Sequence, residues 1–345
     1  MVDSKISFKN DYSEGCHPRI LEALLQSNLE QHEGYGLDKF SLNAASLIKS
    51  KCNAPNAAVH FVSGGTQANL LVIAAALSPI ESVIAATTGH IFTNEAGAIE
   101  ATGHKVNAIQ SATGKLNEQH ITEVLNAHQN TPHVLKPKMV YISNATEIGT
   151  IYSRKELQNL YAYCNKNNLL LFMDGARLGS SLTSLDNDLN LEDIAKYTDA
   201  FWIGGTKNGA LIGEAIVITN PQLQTDFSFH IKQKGAMLSK GRLLGIQFNE
   251  LFKDSLYFEL AEHANKQAQK IRKALIERGY TFLSETSTNQ LFPILPNAVI
   301  EKLSQNFDFH IWKKMDGNKS AVRIIASWAT TKQQVEQFVV AIKEV

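Results

Sequence analysis

The sequence has little of what marks disulfide-stabilised, membrane-spanning or nucleic-acid-binding proteins. Its three cysteines, at positions 16, 52 and 164, are odd in number and far apart, which argues against a disulfide framework and a cysteine-based zinc site. The longest apolar runs, such as residues 70–77, are too short to cross a bilayer, and no signal-peptide pattern is present. Basic and acidic residues both number 33, whereas nucleic-acid-binding proteins usually carry a basic excess. We therefore expect a cytoplasmic protein without a metal site, a nucleic-acid partner or a membrane partner.

What is present indicates a globular protein with more than one core. The chain has 345 residues, of which 44% are hydrophobic, and this length suggests one large domain and a smaller one. A formal net charge of zero leaves little repulsion between copies and is compatible with an oligomer. We predict a large domain over residues 1–250 and a small α+β domain over residues 251–345, joined by a long helix.

Hydrophobic periodicity predicts alternating helices and strands. The predicted helices cover residues 18–31, 37–51, 67–77, 118–128, 154–166 and 332–343, with a long helical stretch over 232–277 interrupted near 252–256. The predicted strands of the first domain cover residues 57–62, 82–86, 105–109, 138–143, 169–173, 200–203 and 214–218. Continuous apolar strands between helices indicate an α/β fold with a mostly parallel sheet buried on both faces. In such folds, ligands bind at the carboxyl ends of the strands.

A lysine and an aspartate follow two of these apolar strands. Lys207 lies in the segment GGTKNG, and Asp174 ends the run LLLFM. Lysine side chains normally extend into solvent, so the small residues around Lys207 indicate that a bulky group approaches its amine. An amine that can form an imine and a carboxylate that can hold a pyridinium nitrogen are what pyridoxal 5′-phosphate (PLP) requires. For Asp174 alone, a helix N-cap and a magnesium ligand are alternatives.

A glycine-containing turn precedes the third predicted helix. It reads Ser63, Gly64, Gly65, Thr66, and glycines at a helix start let backbone N–H groups point at an anion. An ordinary tight turn with Thr66 as the N-cap is the alternative. Because Lys207 is present in the same chain, we interpret this turn as the cradle for the phosphate of PLP.

Three more side chains are candidates for the site. His90 follows a strand and could stack on a pyridine ring, although a loop histidine with a satisfied hydrogen bond is the alternative. Arg177 would project from the turn after Asp174, and Arg323 lies in an apolar strand, where a charge is costly unless paired. The two arginines could grip an α-carboxylate, and an internal salt bridge is the alternative for either.

The motifs SGGTQAN, MDGARLG and GGTKNG, with His90 between the first two, resemble those of the L-threonine aldolases, which are fold-type I PLP enzymes. The likeness extends over nearly the whole chain. For the cofactor, it implies that Lys207 forms the imine with PLP, Asp174 holds the pyridine nitrogen and His90 stacks on the ring. It also implies that Gly64, Gly65 and Thr66 hold the phosphate. For the substrate, it implies that Arg177 and Arg323 bind the carboxylate, with Arg177 also close to the cofactor, and that Asn10 touches that carboxylate.

The resemblance also implies a shared active site. In the family, a neighbouring subunit completes the site with the loop of Tyr35 and with basic residues equivalent to those in 232–242. A homodimer or homotetramer is therefore expected.

One loop departs from the family pattern. Well-known bacterial relatives have a histidine after the strand that corresponds to residues 139–143, whereas this chain reads NATEIG there. The substrate hydroxyl would then be handled by Glu147, Thr146, His90 or a water molecule. We predict His90, directly or through water, as the base, with Glu147 as the second candidate.

The function implied is PLP-dependent aldol cleavage of L-threonine or L-allo-threonine to glycine and an aldehyde. The alternative is another PLP-dependent β-eliminating lyase. Two further hypotheses are less favoured: an aminotransferase, and a protein that binds a partner without catalysis. A partner-binding protein would need an additional recognition region, for which the chain has no spare length.

Overall fold

Strands and helices alternate along residues 5–345, the part of the chain that a computed structural model describes. The strands are β1 (Ile6–Ser7), β2 (Ala58–Val62), β3 (Glu81–Ala86), β4 (Val106–Ile109), β5 (Lys136–Ser143), β6 (Leu170–Asp174), β7 (Ala200–Gly204), β8 (Glu214–Ile218), β9 (Thr281–Phe282), β10 (Gln290–Leu291), β11 (Pro293–Pro296), β12 (Phe307–Asp308), β13 (His310–Lys314) and β14 (Lys319–Ile325). The helices are α1 (Pro18–Gln26), α2 (Lys39–Lys51), α3 (Gly65–Ala76), α4 (His90–Thr93), α5 (Glu118–Ala127), α6 (Arg154–Lys166), α7 (Leu178–Leu182), α8 (Leu191–Lys196), α9 (Pro221–Gln224), α10 (Phe227–Gln233), α11 (Arg242–Lys253), α12 (Leu256–Glu277), α13 (Asn297–Leu303) and α14 (Lys332–Lys343).

The central sheet has seven strands in the order β2-β8-β7-β6-β5-β3-β4. Only β8 runs antiparallel to its neighbours, β2 and β7, and the remaining pairings are parallel. This confirms the predicted α/β class with a mostly parallel sheet. The carboxyl ends of β3, β5, β6 and β7 meet at one edge, which collects the loops that carry the candidate residues.

Both faces of the central sheet are covered by apolar side chains. Along β5, Met139 and Tyr141 belong to one hydrophobic cluster, while Val140 and Ile142 belong to another. Successive side chains of a strand point to opposite faces, so the two clusters lie on opposite sides of the sheet. This explains why the strands read as continuous apolar runs.

A smaller antiparallel sheet follows in the chain. It has the order β10-β14-β11-β9, with β13 also paired to β14. The amino-terminal segment joins this part, because β1 pairs with β12 and Phe8 packs in the same hydrophobic cluster as Phe338. The long helix α12 packs against both α7 and α14. The domain boundary at residues 250/251 stays a prediction.

Two helical predictions were wrong in extent. The first helix ends at Gln26, and its C-cap Ser27 donates a hydroxyl hydrogen bond to Ala23 O at 2.7 Å. The helical stretch after residue 232 is interrupted twice: by residues 234–241, where Gly235 has φ +70°, and by the short break before α12, near the predicted place. No helix in the described part of the chain has the length and apolar character needed to cross a membrane.

Candidate active site

Lys207 lies at the carboxyl end of β7, in the loop that leads to β8. Glycines let this loop pack against neighbouring backbone. A Cβ added to Gly204 would lie 2.5 Å from Ala176 O, and one added to Gly205 would lie 2.7 Å from Gly213 O. Lys207 lines a cavity of about 240 Å³. The small residues around it therefore serve close backbone packing as well as access to the amine.

The environment of Lys207 favours its neutral amine. Burial lowers the pKa of Lys207, and the nearby Arg177 lowers it further, while Asp11, Asp174 and Glu214 oppose this shift. A neutral amine is the nucleophilic form of lysine. The same burial raises the pKa of Glu214 to about 7, against the hydrogen bond from Gly205 N and the charge of Lys207.

Asp174 ends β6 inside the same cavity and is 4% exposed. Its Oδ2 accepts hydrogen bonds from Tyr141 Oη at 2.6 Å and Asn69 Nδ2 at 3.0 Å, and its Oδ1 accepts one from Ala176 N at 2.9 Å. A carboxylate offers about four acceptor positions, so capacity for one further donor remains. The alternative role of Asp174 as a helix N-cap is wrong, because the N-cap of α7 is Arg177.

The glycine-containing turn forms the start of α3. Gly64 is its N-cap and no side chain caps the helix, so the alternative of Thr66 as N-cap is wrong. A Cβ on Gly65 would lie 2.8 Å from Trp202 Cη2, and glycine is therefore needed for this close approach. Ser63, Gly64, Gly65 and Thr66 all line the cavity of Lys207. Uncapped N–H groups at a helix start make this end of the cavity suitable for an anion.

A second cavity of about 460 Å³ adjoins the first. Four residues line both: His90, Glu147, Arg177 and Lys207. The outer cavity also contains Arg323, Tyr12 and Trp312. We call the first cavity, which contains the uncapped start of α3, the inner chamber. We call the second cavity, which contains Arg177 and Arg323, the outer chamber. Lys207 lines both.

The two arginines of the outer chamber differ in their partners. Arg177 donates from Nε and Nη2 to both oxygens of Asp11, at 2.7 and 3.0 Å. Burial acts to raise the pKa of Asp11, but Arg177 and Lys207 prevail and lower it. An internal salt bridge is therefore present for Arg177, with Nη1 outside it.

Arg323 lies on β14 with its guanidinium 5.1 Å from the ring centre of Trp312. Burial lowers its pKa, and the charge of Arg177 lowers it further. Its Nε has no hydrogen-bond partner within residues 5–345. An arginine that is half-buried, stacked and incompletely paired is well placed for an anionic ligand.

His90 and Glu147 lie side by side at the junction of the two chambers. Glu147 accepts hydrogen bonds at Oε1 from His90 N at 3.0 Å and from Ser143 Oγ at 2.7 Å. Burial raises the pKa of Glu147, and the charge of Asp174 adds to this, while the Ser143 hydrogen bond opposes it. A carboxylate with a raised pKa beside a cavity is a candidate general base.

Two predicted substrate contacts lie outside both chambers. The Oδ1 of Asn10 accepts from Tyr12 N at 3.0 Å and Ser13 Oγ at 2.8 Å, within its own turn. Tyr35 is 52% exposed and lies 4.9 Å beneath the ammonium of Lys232. It lines a separate cavity of about 440 Å³. The hydroxyl of Thr146, the other candidate for the substrate hydroxyl, is buried against that of Thr150 at 2.7 Å and lines neither chamber. The structure therefore brings together the predicted site residues of this chain except Asn10, Tyr35 and Thr146.

Several polar residues of the site were missed from the sequence. They are Asp11, Asn69, Glu95, Tyr141, Trp202, Glu214 and Asn289. Of these, only Asp11 could have been suspected from the sequence, because it adjoins Asn10, to which the resemblance assigns a contact with the substrate carboxylate. The others lie within helices and strands or their ends, where a polar residue gives no indication of its partner.

These groups together suit PLP. A lysine amine, a buried carboxylate with acceptor capacity left and an uncapped helix start line one cavity, and they match an aldehyde carbon, a pyridine nitrogen and a phosphate. Among residues 5–345, no three histidine, cysteine, aspartate or glutamate side chains are grouped to bind a metal ion.

Comparison with known proteins gives a consistent result. The family model of the beta-eliminating lyases matches residues 13–297. A low specificity L-threonine aldolase of Pseudomonas aeruginosa is 30% identical, with 98% of this chain and 97% of that protein covered. One from a Pseudomonas strain is 31% identical, with 100% and 99% covered.

Solved structures extend the likeness. A threonine aldolase of Leishmania major superposes with a TM-score of 0.97 at 46% identity, with 98% of this chain and 99% of that chain covered. Aspartate aminotransferase of Thermus thermophilus superposes with a TM-score of 0.73 at 13% identity, over 99% and 92% of the two chains. The second likeness establishes the fold alone, which is that of the fold-type I PLP enzymes.

Proposed function

The chain belongs to the beta-eliminating lyase family as a PLP-dependent lyase, and from this we propose that it cleaves L-threonine and L-allo-threonine to glycine and acetaldehyde. The observation that carries the proposal is the cavity in which Lys207, Asp174 and the start of α3 meet, in a chain similar over its full length to threonine aldolases. Other β-hydroxy-α-amino acids would give glycine and the corresponding aldehyde.

The inner chamber would hold the cofactor. PLP, when bound, supplies an electron sink for the pair left at the α-carbon when one of its bonds breaks. Lys207 would attach it through a neutral amine, which burial favours. Asp174 would accept a hydrogen bond from the ring nitrogen, and His90 would stack on the ring. The N–H groups near Gly65 and Thr66 would bind the phosphate, with Gly64 beside them.

The outer chamber would orient the amino acid. Arg323, which lines this chamber, would donate to the α-carboxylate, and Arg177 would add Nη1 from its position on Asp11. A carboxylate held at two points fixes the direction of the bond to be broken, which is an effect of positioning. Asn10 would join this contact only if its turn opens.

Glu147 is the proposed base at the β-hydroxyl. It lines both chambers, so its carboxylate can contact an amino acid bound where the chambers meet. Removal of the hydroxyl proton by Glu147 lets the oxygen form the carbonyl of the aldehyde as the Cα–Cβ bond breaks. His90, directly or through water, is the second candidate.

The Arg323→Ala variant tests the carboxylate contact. Loss of a charge-assisted hydrogen bond is expected to raise the KM for L-threonine roughly 10- to 100-fold, with PLP affinity changed less than about threefold. Steady-state kinetics and a PLP titration of the apoprotein measure these two quantities. Lys319→Ala, at the exposed end of the same strand, is the matched control. An unchanged KM would remove Arg323 from the site.

A β-elimination reaction is the alternative function, supported by the family's description. Incubation with L-threonine and with L-allo-threonine distinguishes the two, because aldol cleavage releases acetaldehyde and glycine whereas elimination releases ammonia. Acetaldehyde formation without ammonia supports the proposal. Ammonia as the main product, or turnover of neither substrate, contradicts it.

A homodimer or homotetramer with shared sites is part of the proposal. Three leucines spaced four residues apart, Leu21, Leu25 and Leu29, are 53%, 77% and 92% exposed. A row of exposed leucines of this kind is typical of a covered surface. The Tyr35 loop and Lys232 also lie together away from Lys207, as expected if they serve a neighbouring site.

A cytoplasmic location is also part of the proposal. The three cysteines are free, as is usual for proteins in a reducing compartment.

The double variant Leu21→Glu, Leu25→Glu tests the oligomer. Charges buried in an interface are costly, so sedimentation should show the 38.1 kDa single chain in place of a larger species. Leu21→Met, Leu25→Met keeps the surface apolar and should leave the larger species intact. A wild-type protein that sediments as a single chain would refute this part of the proposal.

A further inference from the structure

Glu95 is a buried carboxylate that does not line either chamber. Its side chain is fully buried, and it lies just beyond α4, which begins at His90. A buried carboxylate is costly unless it is hydrogen-bonded. Its Oε1 accepts from two donors on different elements, His90 Nδ1 at 2.9 Å and Asn69 Nδ2 at 2.8 Å. Glu95 therefore connects α4 with α3.

The orientation of the Asn69 amide follows from its neighbours. The indole nitrogen of Trp202 can only donate, and it lies 2.9 Å from Asn69 Oδ1. The amide NH₂ must then face the two carboxylates, Glu95 at 2.8 Å and Asp174 at 3.0 Å. Both hydrogens of Asn69 are used, one on each carboxylate.

The same chemistry determines the tautomer of His90. A carboxylate can only accept, so the Nδ1 of His90 carries the hydrogen in its contact with Glu95. Nε2 is then the ring nitrogen available to the chambers that His90 lines. The backbone N of His90 is held separately by Glu147. The imidazole is thus fixed in position and in tautomer.

We propose that Glu95 is a positioning residue that holds His90 in one orientation and, through Asn69, ties it to Asp174. This inference rests on the proposed use of the inner chamber for PLP. The imidazole that would stack on the cofactor ring and the carboxylate that would meet its nitrogen then form one hydrogen-bonded unit. Movement of either is resisted by the other, because all the side chains between them are buried.

The Glu95→Leu variant tests the proposal. Leucine fills a similar volume but cannot accept a hydrogen bond, so His90 and Asn69 each lose an acceptor. The PLP dissociation constant of the apoprotein is expected to rise roughly tenfold and kcat to fall roughly tenfold, with the KM for L-threonine changed less than about threefold. The visible absorbance maximum of bound PLP should also shift. Glu95→Gln, whose Oε1 can accept both bonds, should restore each value to within about threefold.

Two controls separate positioning from a general effect on folding. Glu100→Gln changes an exposed carboxylate of the same segment and should leave every value unchanged. In a His90→Phe background, Glu95→Leu should lower kcat by a clearly smaller factor than in the wild type, because no ring N–H remains to be positioned and only the contact with Asn69 is lost. If Glu95→Leu does not fold, Glu95→Asp, which draws the acceptor away from one donor, is measured against the same criteria.

The outcomes distinguish this proposal from the proposed function. Unchanged PLP affinity and absorbance in Glu95→Leu, or an equal loss of kcat with and without His90, would overturn the role of Glu95. PLP affinity and absorbance need no substrate, so they test Glu95 even if the wild-type protein fails to cleave L-threonine. Such a failure would contradict the proposed substrate, and the PLP affinity and absorbance would then decide the role of Glu95.

Discussion

Replacing Lys207 with alanine is expected to abolish turnover and the yellow colour that PLP shows when a lysine holds it covalently. Lys207 is the lysine that lines both chambers of the described chain, and its lowered pKa, caused first by burial, favours the nucleophilic amine. Loss of a residue that forms the covalent link should lower kcat by at least about 10³-fold. Absorbance of the purified protein with added PLP and the acetaldehyde assay measure the two effects.

The controls for this variant address fold and non-covalent binding. Lys155→Ala removes an exposed lysine from α6 and should retain both colour and activity. Circular dichroism of the Lys207→Ala protein should match the wild type, because alanine leaves the backbone contacts of the loop intact. Full activity in Lys207→Ala would refute the function proposed for the inner chamber.

The second large effect is expected from Glu147→Gln. Glutamine keeps the size of the side chain but cannot take the hydroxyl proton, so kcat should fall roughly 10²- to 10⁴-fold with little change in KM. The pKa of Glu147 is raised above its usual 4.5, first by burial and then by Asp174. A base must be ionised, so wild-type activity should be lost as the pH falls through this raised value. That acidic limb should disappear from the residual activity of Glu147→Gln.

Glu123→Gln, an exposed change on α5, is the matched control and should retain wild-type kinetics. If Glu147→Gln keeps its kcat, the hydroxyl proton leaves by another route. His90→Asn would then be the variant expected to lower kcat. Of the four residues that line both chambers, His90 is the one that remains as a base after Glu147, Lys207 and Arg177 are set aside. The pH profile of the two variants would assign the base.

Much of the fold could be predicted from periodicity. Helix α6 and strand β8 agree with their predicted bounds. The spacing of apolar residues in each matches the periodicity of its secondary structure, and α6 also begins with a capping box at Ser153. The loop at 234–241 and the short helices α7 and α8 could not be predicted in this way. A helix of five or six residues contains too few turns for a period to be read.

The candidate site divides similarly. Lys207, Asp174 and the glycine turn stand out because each follows an apolar strand, and parallel strands bring their carboxyl ends to one edge. Asn10 and Tyr35 could not be placed from sequence, because one is engaged in its own turn and the other lies on a separate surface. Asp11 could be placed only by its contact with Arg177, 166 residues away in sequence.

Local patterns of apolar and small residues were sufficient to predict the parallel sheet, the edge proposed to bind a ligand, and the amine and carboxylate proposed to hold PLP. The polar groups that surround them became apparent only in the folded protein. Glu95, Asn69 and Asp11 meet their partners across distant elements, and a buried hydrogen bond is specified by distance and direction in space, which no spacing along the chain records.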